Sequence, residues 1–455
     1  LPYYFGIQAE KEYNKLIEQS SKIANLVVKR ENYERGIFKS NANTEYIIKY
    51  GPVDLVEITE EDTIYHGPIT YFKSMNGNTV FKFALAYVDT KVVIKPSYSI
   101  GEIEALFDQL PLLYAITEIS FGNSVNTEFS IPSKKGSYNS NSFNWKGMKG
   151  NAVFYLDENR VITSIFSPGL DLNLGSEDDG EKLELSIKGI KSNADFMYIK
   201  GAPSLPIGKS FFLIENFVLK STNAISLILD KFEFVGNSTD KKDTIDSSYI
   251  AKLENIIVND FKAGPGEYEI KIDNIDQESI VNIQNLVNEV SESKNPEQNK
   301  LIIMGQLMKI LPKLIEKSPK ITIPKLYLMT QDGEISGDLS IYIDGDSKEL
   351  SQNPLLALQH LKGQTNLKIP KSLLRTVLEN LEKDKFDMEL KESGNQDEEI
   401  NKQVVKETDE LIEKLIEKKV LVEDGDFYKL NAKYENGELI LNGKIVYDTN
   451  QNLPL

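Results

Sequence analysis

The sequence predicts an α+β protein: elongated, mostly antiparallel and curved β-sheet, with amphipathic helices packed on one face and a β-meander at the C-terminus. Three observations carry this expectation. Short β-type runs alternate with Gly, Asn and Pro clusters from Ser124 to Phe234. The dipeptides Asn76-Gly77, Asp332-Gly333, Asn436-Gly437 and Asn442-Gly443 stand beside β-type runs as hairpin turns. Apolar residues at helical spacing appear mainly after Asp276. The chain therefore divides into a β-rich region with short helices, residues 1–240, and an α+β region, residues 241–455, with one continuous architecture as the alternative.

Taken in order, Gln8 to Leu26 reads as a helix, with Ile7, Lys11, Leu16, Ile23 and Leu26 at roughly helical spacing. Extended patterning begins at Asn32, and Gly36 reads as a bulge or close backbone approach inside that strand. Gly67-Pro68 after His66 reads as a turn. Asn76-Gly77 turns into a long strand from Thr79 to Val88, and Ile100 to Ile119 is the next helix candidate. Phe196-Met197-Tyr198-Ile199 and Phe211-Phe212-Leu213-Ile214 are typical of the strand runs that follow. Ser133 to Asn144, rich in Ser, Asn and Lys, reads as a surface loop.

In the second half, Asp276 is a helix N-cap candidate before a stripe of Ile280, Ile283, Val287 and Val290. Lys300 to Lys317 is apolar almost all round and must be buried on more than one side. It is expected to form one wall of an apolar cavity. Across Asp332-Gly333, Leu326 and Leu328 should share a face with Gly337, Leu339 and Ile341. A helix follows Pro370 to about Leu381, a charged loop spans Lys383 to Glu399, and Val404, Thr408, Leu411 and Leu415 mark a last amphipathic helix. Leu430, Ala432 and Tyr434 should then face Leu441 and Leu439.

Composition excludes some chemistry. The net charge of -17, from 52 basic and 69 acidic residues, opposes a general nucleic-acid or anionic-membrane role, because both need concentrated Lys and Arg. Cysteine is absent, which removes disulfides, thiolate metal sites and Cys nucleophiles. Gly208-Lys209-Ser210 lacks the glycine of a phosphate loop, since Pro203 stands where it is required. His66 and His360 are the only histidines and lie in unrelated contexts. A Ser-His-Asp site stays formally open because its members need not be neighbours in sequence. Asp344-Gly345-Asp346 and Asp424-Gly425-Asp426 lack calcium-loop spacing and read as turns. No catalytic, cofactor or metal residues are assigned, and no cofactor is expected.

Leu1-Pro2-Tyr3-Tyr4-Phe5-Gly6 places aromatics before a polar helical run, as where a membrane helix leaves the lipid. An apolar anchor or signal segment upstream of Leu1 is the expectation. The order of Tyr33-Glu34-Arg35-Gly36-Ile37-Phe38-Lys39-Ser40, His66-Gly67-Pro68-Ile69, Ile321-Thr322-Ile323-Pro324-Lys325-Leu326 and Tyr434 to Lys444 resembles the YdgA family of Gram-negative envelope proteins. The resemblance covers nearly the whole chain. It implies an inner-membrane-anchored protein with its bulk in the periplasm and a domain of unknown function. Tyr33, Arg35, Gly36, Phe38, His66, Gly67 and Pro68 are then motif residues, with structural roles expected. The favoured function is a non-enzymatic envelope module that binds a lipid or other hydrophobic partner in a sheet groove. The alternatives are a self-associating scaffold that forms a homodimer and, less favoured, a periplasmic hydrolase.

Overall fold

The computed structural model describes residues 2–20, 26–50, 53–73, 79–96, 113–138, 140–175, 182–199, 202–222, 226–292, 296–345, 360–390 and 397–448. The chain is mostly antiparallel β-sheet with a smaller share of helix. It forms two compact units, Leu1–Glu233 and Phe234–Leu455.

The first unit opens with helix α1, Pro2–Ser20. Proline suits the first helical position, where its missing N–H leaves no bond unmade. Strands β1 (Leu26–Arg35), β2 (Lys39–Tyr50) and β3 (Val53–His66) follow. A separate two-stranded hairpin, β4 (Ile69–Lys73) and β5 (Thr79–Phe83), precedes β6 (Ala86–Pro96), β7 (Leu113–Ile119) and β8 (Ser124–Ile131). Then come β9 (Lys134–Tyr138), β10 (Asn141–Trp145), β11 (Met148–Tyr155), β12 (Arg160–Gly175), β13 (Lys182–Ile199) and β14 (Ala202–Ser221). Antiparallel pairing runs β1–β2–β3–β6–β7–β8–β11–β12–β13–β14. Strand β12 is long enough to hold β11 and β10 end to end along one side. Helix α1 packs on β1, β3 and β6, and its Ala9 and Tyr13 join Ala42, Ile64, Ala86, Val88, Ile119 and Val125 in the core.

Strand β15 (Leu227–Asp240) leads into the second unit, with β16 (Thr244–Leu253), β17 (Asn255–Val258) and β18 (Phe261–Asp276). Helices α2 (Gln277–Glu292) and α3 (Pro296–Glu316) pack against each other and on β18. Asp276 caps α2: its Oδ2 accepts the Ser279 backbone N–H at 2.8 Å and the Ser279 hydroxyl at 2.7 Å. Strands β19 (Lys320–Thr330), β20 (Gly333–Ile343) and β21 (Leu361–Pro370) lead to helices α4 (Lys371–Leu390) and α5 (Asp397–Glu417). The chain ends with β22 (Val422–Asp424), β23 (Phe427–Glu435), β24 (Glu438–Leu441) and β25 (Lys444–Asp448). Ile412, Leu421 and Tyr428 form a core with Leu430 and Ile369 packed on it, so α5 closes the apolar face of β21 and β23.

Several sequence expectations hold. Leu326 pairs with Gly337 and Leu328 with Ile335, and Ala432 and Tyr434 oppose Leu441 and Leu439. Others are corrected. Gly36 lies in the turn between β1 and β2 rather than inside a strand, though the close backbone approach expected of it is there: a Cβ would meet the Lys39 carbonyl oxygen at 2.4 Å. Leu113–Ile119 is a strand paired on both sides, because β6 and β8 supply ladder partners that helical spacing cannot anticipate. The rest of that helix candidate, residues 100–112, and the turn Asn76-Gly77 lie outside the described residues. The run from Thr79 breaks at Ala84-Leu85 into β5 and β6, and Ser133 to Asn144 is largely the β9–β10 hairpin rather than a loop. Helix α4 runs on to Leu390 and α5 begins at Asp397, inside the expected charged loop. In α2 it is Leu286 that is buried, whereas Val287 is 57% exposed.

Candidate functional site

The seven motif residues come together at one end of the first unit. His66, 3% exposed, ends β3 beneath α1. Its Nδ1 lies 3.0 Å from the Ile37 carbonyl oxygen, so it donates there as the Nδ1–H tautomer, and Nε2 accepts the Ser40 hydroxyl at 2.8 Å. Burial pushes the imidazole below its ordinary range, and Arg35 adds to the effect. The Phe38 carbonyl accepts the His66 backbone N–H at 2.9 Å, and Gly67 donates to the Leu85 carbonyl. A Cβ on Gly67 would sit 2.0 Å from the Ala84 carbonyl oxygen, so a side chain there is sterically excluded. Gly67-Pro68 is a cis peptide, and the Pro68 carbonyl accepts from Ala84. Arg35 pairs with Glu10 of α1 at 2.9 Å and lies over the Tyr3 ring, while Tyr33 meets Tyr13 ring to ring at 5.6 Å. Gly6 of α1 approaches so closely that a Cβ would stand 2.5 Å from the His66 ring. The motif is a clamp that fastens α1 to the sheet.

Ser40 and His66 resemble a nucleophile and its base, but their geometry serves no such chemistry. The ring nitrogen that an acid would orient bonds a backbone carbonyl instead, and α1 covers the pair. His360 belongs to the second unit, its carbonyl accepting from the Asp344 backbone N–H. Gly208-Lys209-Ser210 lies inside β14, with no helix N-terminus to hold a phosphate, and Asp424-Gly425-Asp426 forms the β22–β23 turn. Asp346 lies outside the described residues. Among the described residues no group of three or more His, Asp or Glu is arranged to hold a metal.

One turn further along α1 lies a cluster that sequence reasoning missed. Tyr13 Oη stands 2.6 Å from Thr44 Oγ1 and donates to Asp62 Oδ2 at 2.9 Å, and Thr90 donates to Asp62 Oδ1 at 2.5 Å. Burial pushes Asp62 up to about 7, with Glu60 adding to the rise. Loss of solvent also raises Glu60, which bonds Tyr46 and Asp62. The Tyr13 and Tyr46 phenols are pushed well above their ordinary range by burial and by these carboxyls. Two carboxyls two residues apart on one strand face cannot both ionise cheaply in low dielectric. Alternation puts Glu60, Asp62 and Ile64 on one face of β3, but among 69 acidic residues nothing in the sequence marks these two as buried.

A third arrangement lies on the long strands β10, β12, β13 and β14. Register sets Trp145, Leu170, Ile187 and Phe217 in one row across β10, β12, β13 and β14, and Phe143, Leu172, Leu185 and Leu219 in the next row of the same face. Leu174 and Leu183 continue it, and they line an open pocket of about 490 Å³ with Lys182, Lys220 and Thr222. The opposite face is polar: Asp171 accepts from Lys146 at 2.8 Å, Ser186 at 2.7 Å and Asn144 at 3.2 Å, and these bonds, Lys146 foremost, hold it below the usual carboxylate range. Helix α1, the described helix of this unit, packs on β1, β3 and β6 and not extensively on these strands. The apolar side chains are mostly half-buried, and Trp145 Nε1 is buried with no hydrogen-bond partner.

In the second unit, a groove of about 800 Å³ crosses β19, β20, β21 and β23. Asn431 donates to Asn366 at 2.6 Å, and Asn366 to Asp338 at 3.1 Å. Its lysines are engaged: Lys325 by Glu267, Lys429 by Asp424, and Lys368 over the Phe427 ring. The groove is therefore lined by strands, with Leu326, Leu367 and Leu430 beside the polar residues, and no residue of Lys300 to Lys317 lines it. That helix buries Ile310 and Ile315 instead.

Residues 1–447 match the model of a family described as a bacterial protein of unknown function, DUF945. No curated protein matches the chain, and neither does any solved structure.

Proposed function

The chain belongs to the DUF945 family of bacterial proteins, and from that premise we propose that it is a non-enzymatic envelope protein that binds a lipid along the apolar face of β10, β12, β13 and β14. The carrying observation is the two in-register apolar rows on a sheet whose other face is polar. An antiparallel sheet with one apolar face stabilises itself by covering that face. At about 25 cal/mol per Å² of apolar surface removed from water, a chain of methylenes laid along the rows supplies ample affinity. Trp145 begins the first row, paired with Leu170, so its ring stands on the face where an acyl chain would lie. The resemblance of Tyr33 to Ser40 and His66 to Ile69 to the YdgA family supports a periplasmic protein anchored at the inner membrane.

Trp145 is the single tryptophan, so it reports on this face directly. A brominated fatty acid or lysophospholipid should quench its fluorescence saturably, and Leu185→Asp should abolish the quenching while the chain stays folded. Native mass spectrometry of protein extracted from its own membrane should show bound lipid. Unquenched Trp145 together with lipid-free protein would overturn the proposal. A dimer that disappears with Leu185→Asp would assign the face to self-association, the scaffold alternative.

A further inference from the structure

The β4–β5 hairpin is two-faced. On one face Thr70 is buried and Lys82 pairs with Glu118 of β7 at 3.3 Å, which ties the hairpin to the body of the unit. On the other, Ile69 pairs with Phe83 and Tyr71 with Phe81, and these four side chains are 58–72% exposed. Four apolar side chains of this size facing water on one short hairpin form a patch of the kind that marks an interaction surface.

Neighbouring segments extend the patch. The β1–β2 turn meets the base of the hairpin through the bond from His66 N–H to the Phe38 carbonyl, and Phe38 is 71% exposed. In the β7–β8 turn, Phe121 lies 4.9 Å from Phe83 and 5.5 Å from Phe5 of α1, and the exposed Tyr4 adjoins Phe5 at 5.9 Å. Aromatic tips from separate segments thus gather at one end of the sheet.

Charge separates the candidate occupants. The segments that meet here, residues 2–8, 36–39, 67–73, 79–83 and 120–123, contain no Asp or Glu, although the chain has 69 acidic residues in 455. They do contain Lys39, exposed at the β1–β2 turn, whereas Lys82 lies on the hairpin's other face with Glu118. A second copy docked two-fold on this end would offer Lys39 no acidic partner from these segments. A bilayer carrying anionic phospholipid suits both features, because aromatic rings favour the interface and each nearby lysine gains attraction from the surface potential. The whole chain carries a net charge of -17 with none of its acidic residues in these segments, which orients this end toward the lipid.

We propose that the aromatic end built from the β4–β5 hairpin, the β1–β2 and β7–β8 turns and the start of α1 docks into the interfacial layer of an anionic phospholipid bilayer. The proposal is independent of the lipid-binding face on β10 to β14. It is tested by co-sedimentation of the protein with phosphatidylcholine vesicles with and without about a third phosphatidylglycerol. Binding should require the anionic lipid and weaken with salt. Tyr71→Ser/Phe81→Ser, which spares the Phe83–Phe121 contact, and Lys39→Glu, at an exposed turn, should each weaken binding by about tenfold or more, that is about 1.4 kcal/mol, with Trp145 fluorescence unchanged. Wild-type binding equalled by both folded variants would overturn the proposal, as would absence of binding. A wild-type dimer that Tyr71→Ser/Phe81→Ser converts to monomer would overturn it in favour of a second copy.

Discussion

Replacing Asp62 by Asn removes one carboxyl of the buried pair while keeping an acceptor oxygen for one of its two hydroxyl donors, Tyr13 and Thr90, and offering the other an amide N–H. In the folded chain Asp62 titrates at about 7 against an ordinary 3.8. Across that interval the folded chain therefore holds a proton that the unfolded chain releases. With more protons bound in the folded state, stability is fully present below the unfolded value, falls as pH rises, and levels off above the folded value. At about 1.4 kcal/mol per pH unit, the interval from 3.8 to about 7 sets a loss on the order of 4 kcal/mol for Asp62. Glu60 is raised as well and acts in the same direction. Urea unfolding followed by Trp145 fluorescence reads the same unit as Asp62. The wild-type midpoint should fall between about pH 4 and about pH 7. D62N should lose most of that slope, and E60Q/D62N should be nearly flat through the window. Equal slopes in the wild type and the double variant would refute the assignment of a shared proton beneath α1.

Two further outcomes follow from the clamp. Gly6→Val places carbon where 2.5 Å separates a Cβ from the His66 ring, so α1 should lift from the sheet, and limited proteolysis should cut within residues 2–20 far faster than in the wild type. His66→Ala leaves the Ile37 carbonyl and Ser40 hydroxyl without their partner and should cost about 1–3 kcal/mol, read as a lower urea midpoint; an unchanged midpoint would remove His66 from the clamp.

What the sequence determined by itself was local. Asn436-Gly437 and Asn442-Gly443 sit at φ values of 55° and 81°, and 45° and 81°, the left-handed conformations that tight hairpins require and that Asn and Gly adopt at little cost. The Asp276 cap needs a side chain and an N–H three residues on. The stripe of α5 is likewise set by spacing within one helix, with Val404 and Thr408 buried as expected. The motif residues were recognisable in order, but their meeting was not: Arg35 reaches Glu10 and His66 reaches Gly6 because α1 folds back over β1 and β3. Leu113–Ile119 reads as a helix until β6 and β8 flank it. Strand register was equally invisible. Each of β10, β12, β13 and β14 alternates on its own, but a shift of one residue in any pairing would have scattered Leu172, Leu185 and Leu219 to opposite faces. Tertiary pairing decided the apolar face, and burial beneath α1 decided the protons of Glu60 and Asp62, because both depend on what lies across from a residue rather than beside it in the chain.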